Sequence, residues 1–322
     1  MKPGDPLLYL SRADLEGLGI GAADAVAAIE GLIRGRQAGT VWNTPKSAIA
    51  PGDGRYFMNT LSLADDPPYA AVKSLGLSTG NRARGLDTIA ALVVLHDSRT
   101  GWPLAVMEGA WVTAVRTAAL SAVAATHLAR KDAAVIAFIG CGVQARGHLD
   151  AFAELFPLTE VRAFGRGAAN RDRLLALAQA KGLKGVASET ARAAIEGAEI
   201  VVTSVPAHGD LEPFLDAAWL RPGAFAAITD LAEPWIAAGM TALDRIVVDD
   251  LEQERSMPEP LVDPALVAGD ITQLVTGAIA GRRDARETTA FIFRGLALGD
   301  LALAWLAYEA AVKSNAGVKL ER

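Results

Sequence analysis

The chain has 322 residues, 51% of them hydrophobic and only 6% aromatic, the profile of an Ala/Val/Leu-rich α/β enzyme with room for two cores rather than of a disordered or fibrous chain. A net charge of −6 with no basic stripe argues against a nucleic-acid partner, and a single cysteine, Cys141, excludes an intramolecular disulfide or a cysteine-rich zinc site. The first twenty residues carry Asp5, Arg12, Asp14 and Glu16, and no apolar run reaches membrane-spanning length without interruption; the expectation is a soluble cytoplasmic protein that engages no membrane.

In chain order, residues 22–39 read as a helix with Ala25, Ile29, Leu32 and Ile33 on one side, closed by Gly39. Short strands follow to about residue 110. Gly52-Asp53-Gly54 forms a hairpin-like turn before Arg55, and Asp65 to Pro68 a longer break. Strands are predicted at Tyr69–Leu75, Ile89–His96 and Pro103–Glu108, which makes this part antiparallel-rich. A helix is expected from about Thr113 to Leu128. Beyond it the pattern alternates: strands at 134–139, 161–164, 184–187, 200–204, 224–228 and 245–248, with helices from Gln144, Asn170 and Thr190. Such alternation builds parallel βαβ units. Near the end, Leu296 to Val312 reads as a helix apolar nearly all round, with Asp300 and Glu309 its only charges, and is therefore expected to be buried.

The most informative segment is the apolar run ending at Ile139, followed by GCGVQA over 140–145 and then a helical pattern. This is the strand, G-x-G-x-x-A turn and helix that a dinucleotide site requires. Gly140 permits the tight turn, Gly142 lets backbone approach a pyrophosphate, and Ala145 lets the helix pack on the strand. The amides at the helix start, Val143 and Gln144, then face phosphates. The second strand ends in Gly165-Arg166-Gly167, without the acid that an NAD-preferring fold places there for the ribose hydroxyls. Arg166 offers a cation for a 2′-phosphate, so NADP(H) is favoured and NAD(H) remains open. Thr203 and Ser204, at the end of the strand from Ile200, are expected as polar cofactor contacts. Cys141 reads as a packing residue, and His96, His127, His148 and His208 show no metal-ligand spacing.

Several segments together resemble the ornithine cyclodeaminase/mu-crystallin family: Lys73, GNRARGLDT over 80–88, GAWVTAVRTAA over 109–119, GCGVQAR over 140–146, Gly281-Arg282 and GLALGD over 295–300. The resemblance implies an α/β chain in which a Rossmann-type parallel-sheet domain, residues 116–295, is inserted into a second α+β substrate-binding and dimerisation domain made of 1–115 and 296–322. It also implies a homodimer and an NAD(P)-dependent reaction at the carbon–nitrogen bond of a small amino or imino acid. By resemblance, Thr88 and Arg116 reach the cofactor phosphates, a role that suits a hydroxyl donor and a forked guanidinium; the other reading of Arg116 is a salt bridge on the connecting helix.

Lys73 lies in an otherwise apolar strand, where an ammonium needs a partner, and the family places a substrate-binding and catalytic lysine there. Lys46 stands where the family usually has a substrate-clamping arginine, which keeps the charge and loses the planar fork. Arg55 is a candidate to take over that clamp, or a surface arginine. Asp230 follows a parallel strand at its carboxyl end, where open α/β sheets bind ligands. In the cyclodeaminase branch an aspartate here moves the substrate's amine proton, and the alternative is a helix cap. That branch also has a lysine four residues on, where this chain has Pro234.

The NADP signature and the altered clamp favour an imino-acid (ketimine) reductase or amino-acid dehydrogenase. The bulky, cationic Phe291 to Arg294 segment is read as a poor host for a second ammonium. The alternatives are an ornithine cyclodeaminase, releasing proline and ammonia with catalytic NAD, and a non-catalytic NADPH-dependent binding protein.

Overall fold

The computed structural model describes residues 5–206 and 211–321. Residues 1–116 with 297–322 form one compact unit, and 117–296 another. In chain order the first unit contains β1 (Leu7–Leu10), α1 (Arg12–Gly17), α2 (Ala22–Ala38), β2 (Val41–Asn43), β3 (Ser47–Ile49), β4 (Arg55–Ala64), β5 (Tyr69–Ser78), β6 (Ile89–Asp97) and β7 (Pro103–Glu108). The division falls within α3 (Gly109–Leu128). The second unit holds β8 (Val135–Ile139), α4 (Val143–Leu155), β9 (Glu160–Phe164), α5 (Ala168–Ala180), β10 (Lys184–Ala187), α6 (Ala191–Ile195) and β11 (Ile200–Thr203). It continues with β12 (Phe225–Ile228), β13 (Arg245–Val248), α7 (Leu251–Ser256), β14 (Val267–Asp270), α8 (Ile271–Val275) and β15 (Thr289–Ile292). The chain returns to the first unit with α9 (Ala297–Ser314) and β16 (Val318–Leu320).

The first unit is a mixed sheet in the order β16-β1-β7-β6-β5-β4-β2, with β3 added to β4. It is antiparallel except where β1 runs parallel to β7. Helices α2 and α9 pack on each other, and α9 lies against β4, β5 and β6. That packing explains why α9 is apolar nearly all round: from Ala297 to Ala304 every residue is buried. Helix α3 starts four residues before the expected Thr113. Its first amides are satisfied from outside, since Ala110 and Trp111 donate to the two carboxylate oxygens of Glu108, each at 2.8 Å.

The second unit carries a sheet in the order β10-β9-β8-β11-β12-β15-β13-β14, parallel throughout. Its central strands β11, β12, β13 and β15 are buried at every position, as parallel strands with both faces covered must be. Because β8 continues to β9 on one side and β11 lies on its other, the strand order reverses between β8 and β11, the switch point where such sheets bind ligands. Strand β15 was not anticipated. Four consecutive buried residues show no period that separates a strand from a helix. Phe291 and Phe293 are buried and stack on each other with centroids 5.0 Å apart. This corrects the reading of Phe291 to Arg294 as a bulky cationic lining. The Arg294 guanidinium is paired with Glu254 at 2.9 Å.

Among the described residues no helix is long and apolar enough to cross a membrane. Gly281-Arg282 proves to be a lock within the second unit. A Cβ at Gly281 would stand 2.7 Å from the His127 carbonyl oxygen. The neighbouring Arg282 donates from Nε to the Leu128 carbonyl at the end of α3 (2.7 Å) and from Nη1 to the Glu287 carbonyl (2.6 Å). Removing a partner leaves such carbonyls unsatisfied. Arg282→Ala is expected to cost about 2–3 kcal/mol, read as a lower urea midpoint with an unchanged slope.

Candidate active site

In the second unit the site is built at the carboxyl ends of β8, β11 and β12. Gly140 has φ +88°, and a Cβ there would stand 2.5 Å from the Ser204 carbonyl oxygen, so the chain leaving β8 can pass this close to the end of β11 only because residue 140 is glycine. Gly142 caps α4 with no side-chain hydrogen bond, and its missing Cβ faces open space. The first-turn amides of α4, including those of Val143 and Gln144, thus lie at an uncapped helix start. Ala145 is fully buried under the turn, and Val143 is exposed. The side-chain oxygen of Gln144 is buried without a hydrogen-bond partner. An open cradle, an uncapped thirteen-residue helix and a close-approach glycine fit the pyrophosphate of a dinucleotide. Arg166 is exposed at the end of β9, beside Gly167, which caps α5 without a side-chain bond.

Asp230 is only 7% exposed. Its two oxygens accept from the Thr203 hydroxyl (3.0 Å) and the Val205 amide (3.0 Å). No helix begins after it, which corrects the cap reading. Burial lifts the Asp230 carboxyl to about 6, and the donors at Val205 and Thr203 oppose that rise. Thr203 is fully buried and directed at Asp230, with Trp235 Nε1 donating to its hydroxyl at 3.3 Å. Its place is therefore behind Asp230, and not among cofactor contacts as expected. Ser204 is partly buried and its hydroxyl donates to the Gly140 carbonyl at 3.4 Å. After Asp230 two successive non-glycine residues, Leu231 and Ala232, have φ of 58° and 59°. Such conformations cost on the order of 1 kcal/mol each and cluster at functional loops.

In the first unit, Lys73 sits mid-strand in β5 at 1% exposure. Its partner is Asp300 of α9, with Nζ donating to Oδ1 at 2.7 Å. The other carboxylate oxygen accepts from Thr60 of β4 at 2.9 Å. Arg116 Nε lies 3.1 Å from Asp300 Oδ1 but off hydrogen-bond alignment. Neither terminal nitrogen of Arg116 has a hydrogen-bond partner among the described residues. Burial pushes the Lys73 ammonium down to about 8; the charge of Arg116 adds to this, Asp300 opposes it, and the half-buried Lys46 lowers it further. Burial alone would raise the Asp300 carboxyl, but Lys73, Arg116 and the Thr60 hydroxyl together hold it below the ordinary range. Thr88 is half-buried on the loop before β6, its carbonyl accepting from the Ser78 amide. Arg55, the candidate clamp, is paired with Asp53 at 2.7 Å on an exposed turn.

Sequence reasoning missed Asp300 and Thr60. The signal was present, since a buried lysine requires an acid and Asp300 is one of two charges that the sequence analysis found in an apolar helix. Cys141 is buried, with its thiol pushed up to about 11 by burial, as a packing residue should be. His148 is fully buried and bonds the Gln144 carbonyl and Ser121, while His96 bonds the Gly101 carbonyl. His208 lies outside the described residues. No cluster of three metal-ligating side chains occurs among the described residues.

The alanine dehydrogenase of Archaeoglobus fulgidus is 31% identical over 98% of both chains. Two solved structures superpose closely. One is the Thermococcus litoralis Delta(1)-pyrroline-2-carboxylate reductase in complex with NADH and L-proline, with a TM-score of 0.89, 29% identity and coverage of 97% of this chain and 99% of the other. The second is an archaeal alanine dehydrogenase dimer with bound NAD, with a TM-score of 0.88, 28% identity and 98% of both chains covered. A profile of the ornithine cyclodeaminase/mu-crystallin family matches residues 9–315, and the chain belongs to that family.

Proposed function

We propose that this chain is an NAD(P)(H)-dependent oxidoreductase acting at the Cα–N bond of a small amino or imino acid, as an imino-acid reductase or amino-acid dehydrogenase. The observation that carries this reading is the charge arrangement around Lys73. Two cations, Lys73 and Arg116, share one carboxylate, so a net positive charge is left for a monocarboxylate ligand. The acid acting on Lys73 is Asp300, already engaged by three groups. Neither β4 nor β5 contains an acid; on Lys73's own face of the sheet Met58, Leu75, Ala71 and Leu95 are buried and apolar, and the hydroxyls of Thr60 and Ser62 are already donated to Asp300 and the Ala297 carbonyl. A distal ammonium such as ornithine's finds no partner there, which disfavours the cyclodeaminase reading. The alanine dehydrogenase and pyrroline-2-carboxylate reductase to which the chain is similar support the reductase or dehydrogenase reading.

A bound nicotinamide supplies or accepts the hydride at the substrate's α-carbon. The residues do the rest. Lys73 with Lys46 holds the substrate carboxylate, and Arg116 with Thr88 takes phosphate oxygens of the cofactor. The backbone at Gly140, Gly142, Val143 and Gln144 receives the pyrophosphate, and Asp230 moves the proton at the substrate nitrogen. Arg166, with no acid beside it, favours NADP(H), although two of the relatives are solved with NADH or NAD. The single cysteine suits a reducing cytoplasm.

A second copy is the partner we propose for the first unit's sheet. Trp42, Ile49, Phe57, Leu61 and Leu92 are large, exposed and all on one face, opposite the face that α9 covers. A contiguous apolar face of this kind marks an interface, and one relative is described as a dimer.

Four outcomes test these roles. Pyrroline-2-carboxylate, piperideine-2-carboxylate or pyruvate with ammonia should drive stoichiometric NADPH oxidation, with NADH weaker; proline and ammonia formed from ornithine on catalytic NAD⁺ would overturn the reductase reading. The oxidative direction needs the Asp230 carboxylate, so its kcat/KM should rise as pH increases through about 6. Asp230→Asn should remove that limb and about 10²–10⁴-fold of the rate, with cofactor affinity by fluorescence titration unchanged. In sedimentation, the double variant Phe57→Asp with Leu61→Lys should run as a monomer where the parent runs as a dimer.

A further inference from the structure

Asp300 is only 2% exposed on an otherwise apolar stretch of α9. A carboxylate so placed costs several kcal/mol to desolvate, and well-packed apolar residues often replace a buried ion pair without loss of stability. Its partners reveal a more specific use. Lys73 Nζ carries three N–H groups and gives one to Asp300 Oδ1, so two remain. Arg116 turns Nε toward the same oxygen, which leaves its terminal nitrogens for another anion. Thr60 donates to Oδ2 and so fixes the carboxylate plane. Gly299 makes room for this: a Cβ there would stand 3.1–3.2 Å from the Arg116 stem.

We propose that Asp300 is a positioning residue, a shared anchor that holds the Lys73 ammonium and the Arg116 guanidinium so that their remaining N–H groups are presented to the substrate carboxylate and the cofactor phosphate. This rests on the roles given above to Lys73 and Arg116. Asp300 also keeps Lys73 protonated. Of the charged groups acting on Lys73, Arg116 of α3 and Lys46 of the segment before β3 repel the proton, while Asp300 of α9 retains it; β4 presents the uncharged Thr60 and β6 the uncharged Val93. With an uncharged residue at 300, the largest influences left, burial, Arg116 and Lys46, all weaken the lysine's hold on its proton, and the loss of charge moves to lower pH than about 8.

Two readouts separate positioning from mere stability. In Asp300→Asn, KM for both imino acid and cofactor should rise, with kcat/KM falling on the order of 10²-fold. The alkaline limb should shift to lower pH, and Asp300→Glu should restore the limb more fully than it restores KM. The second readout needs no turnover: the ε-carbon resonance of Lys73 in lysine-labelled protein, assigned through Lys73→Arg, should titrate at lower pH in Asp300→Asn. If that variant does not fold, Thr60→Val carries the test, with a smaller change in the same directions. A folded Asp300→Asn with unchanged KM and unchanged Lys73 titration, or the same result for Thr60→Val where it must stand in, overturns the proposal. Should the parent turn over no imino acid, the functional reading fails, while the resonance titration still decides whether Asp300 holds the proton on Lys73.

Discussion

An ammonium cannot be buried in a β-sheet without a counter-charge, and the first unit is organised around that constraint. Lys73 occupies the centre of β5, in register with Thr60 of β4 and Val93 of β6. The carboxylate that balances it comes from the far end of the chain, on α9. For Asp300 to arrive there, α9 must lie flat on the sheet, and the burial of Leu298, Leu301 and Ala304 holds it in place. The hydrophobic effect thus delivers the charge, and the charge fixes the rotation of the helix about its axis. Arg116 is brought to the same carboxylate through a close approach that a Cβ at 299 would crowd, at 3.1–3.2 Å from the Arg116 stem.

The second unit solves a different problem with the same means. A parallel sheet presents its carboxyl edge as a row of loops, and the strand order that reverses between β8 and β11 opens a crevice there. Gly140 sits against the Ser204 carbonyl at that point, and Asp230 stands one strand further on at the end of β12. Desolvation raises the proton affinity of Asp230, and two donors keep it from rising further. A carboxyl poised near 6 exchanges a proton close to neutrality, which suits an acid–base group far better than an ordinary surface aspartate does. Trp235 and Thr203 hold it from behind, in a loop where two left-handed residues replace the lysine-bearing sequence of the cyclodeaminase branch.

On the reading proposed above, substrate choice depends on the charges around Lys73. Here Lys46 contributes a point charge in place of a forked guanidinium, and Arg294, which in sequence resembled a free cation near the substrate, is tied to Glu254. On the proposed reading, the largely apolar sheet face around Lys73, with Asp300 already engaged by Lys73 and Thr60, favours a small uncharged substituent on the α-carbon over a dibasic one.

What contiguous residues specify was legible along the chain. Gly39 and Gly140 with positive φ, the 3.6-residue period of α2, and the strand, turn and helix around Gly140 need no distant partner to be recognised. The lysine in an apolar strand announced that some anion was needed. Which anion was decided only by tertiary structure, because Asp300 is 227 residues away and the pairing depends on α9 docking against the sheet. The same holds for β15, whose four buried residues acquire their identity from the strands on either side, and for Thr203, whose hydroxyl is claimed by Asp230, 27 residues on, a neighbour that no local pattern identifies. Periodicity and turn chemistry are properties of contiguous residues, whereas the partner of a buried charge is a property of the packed chain.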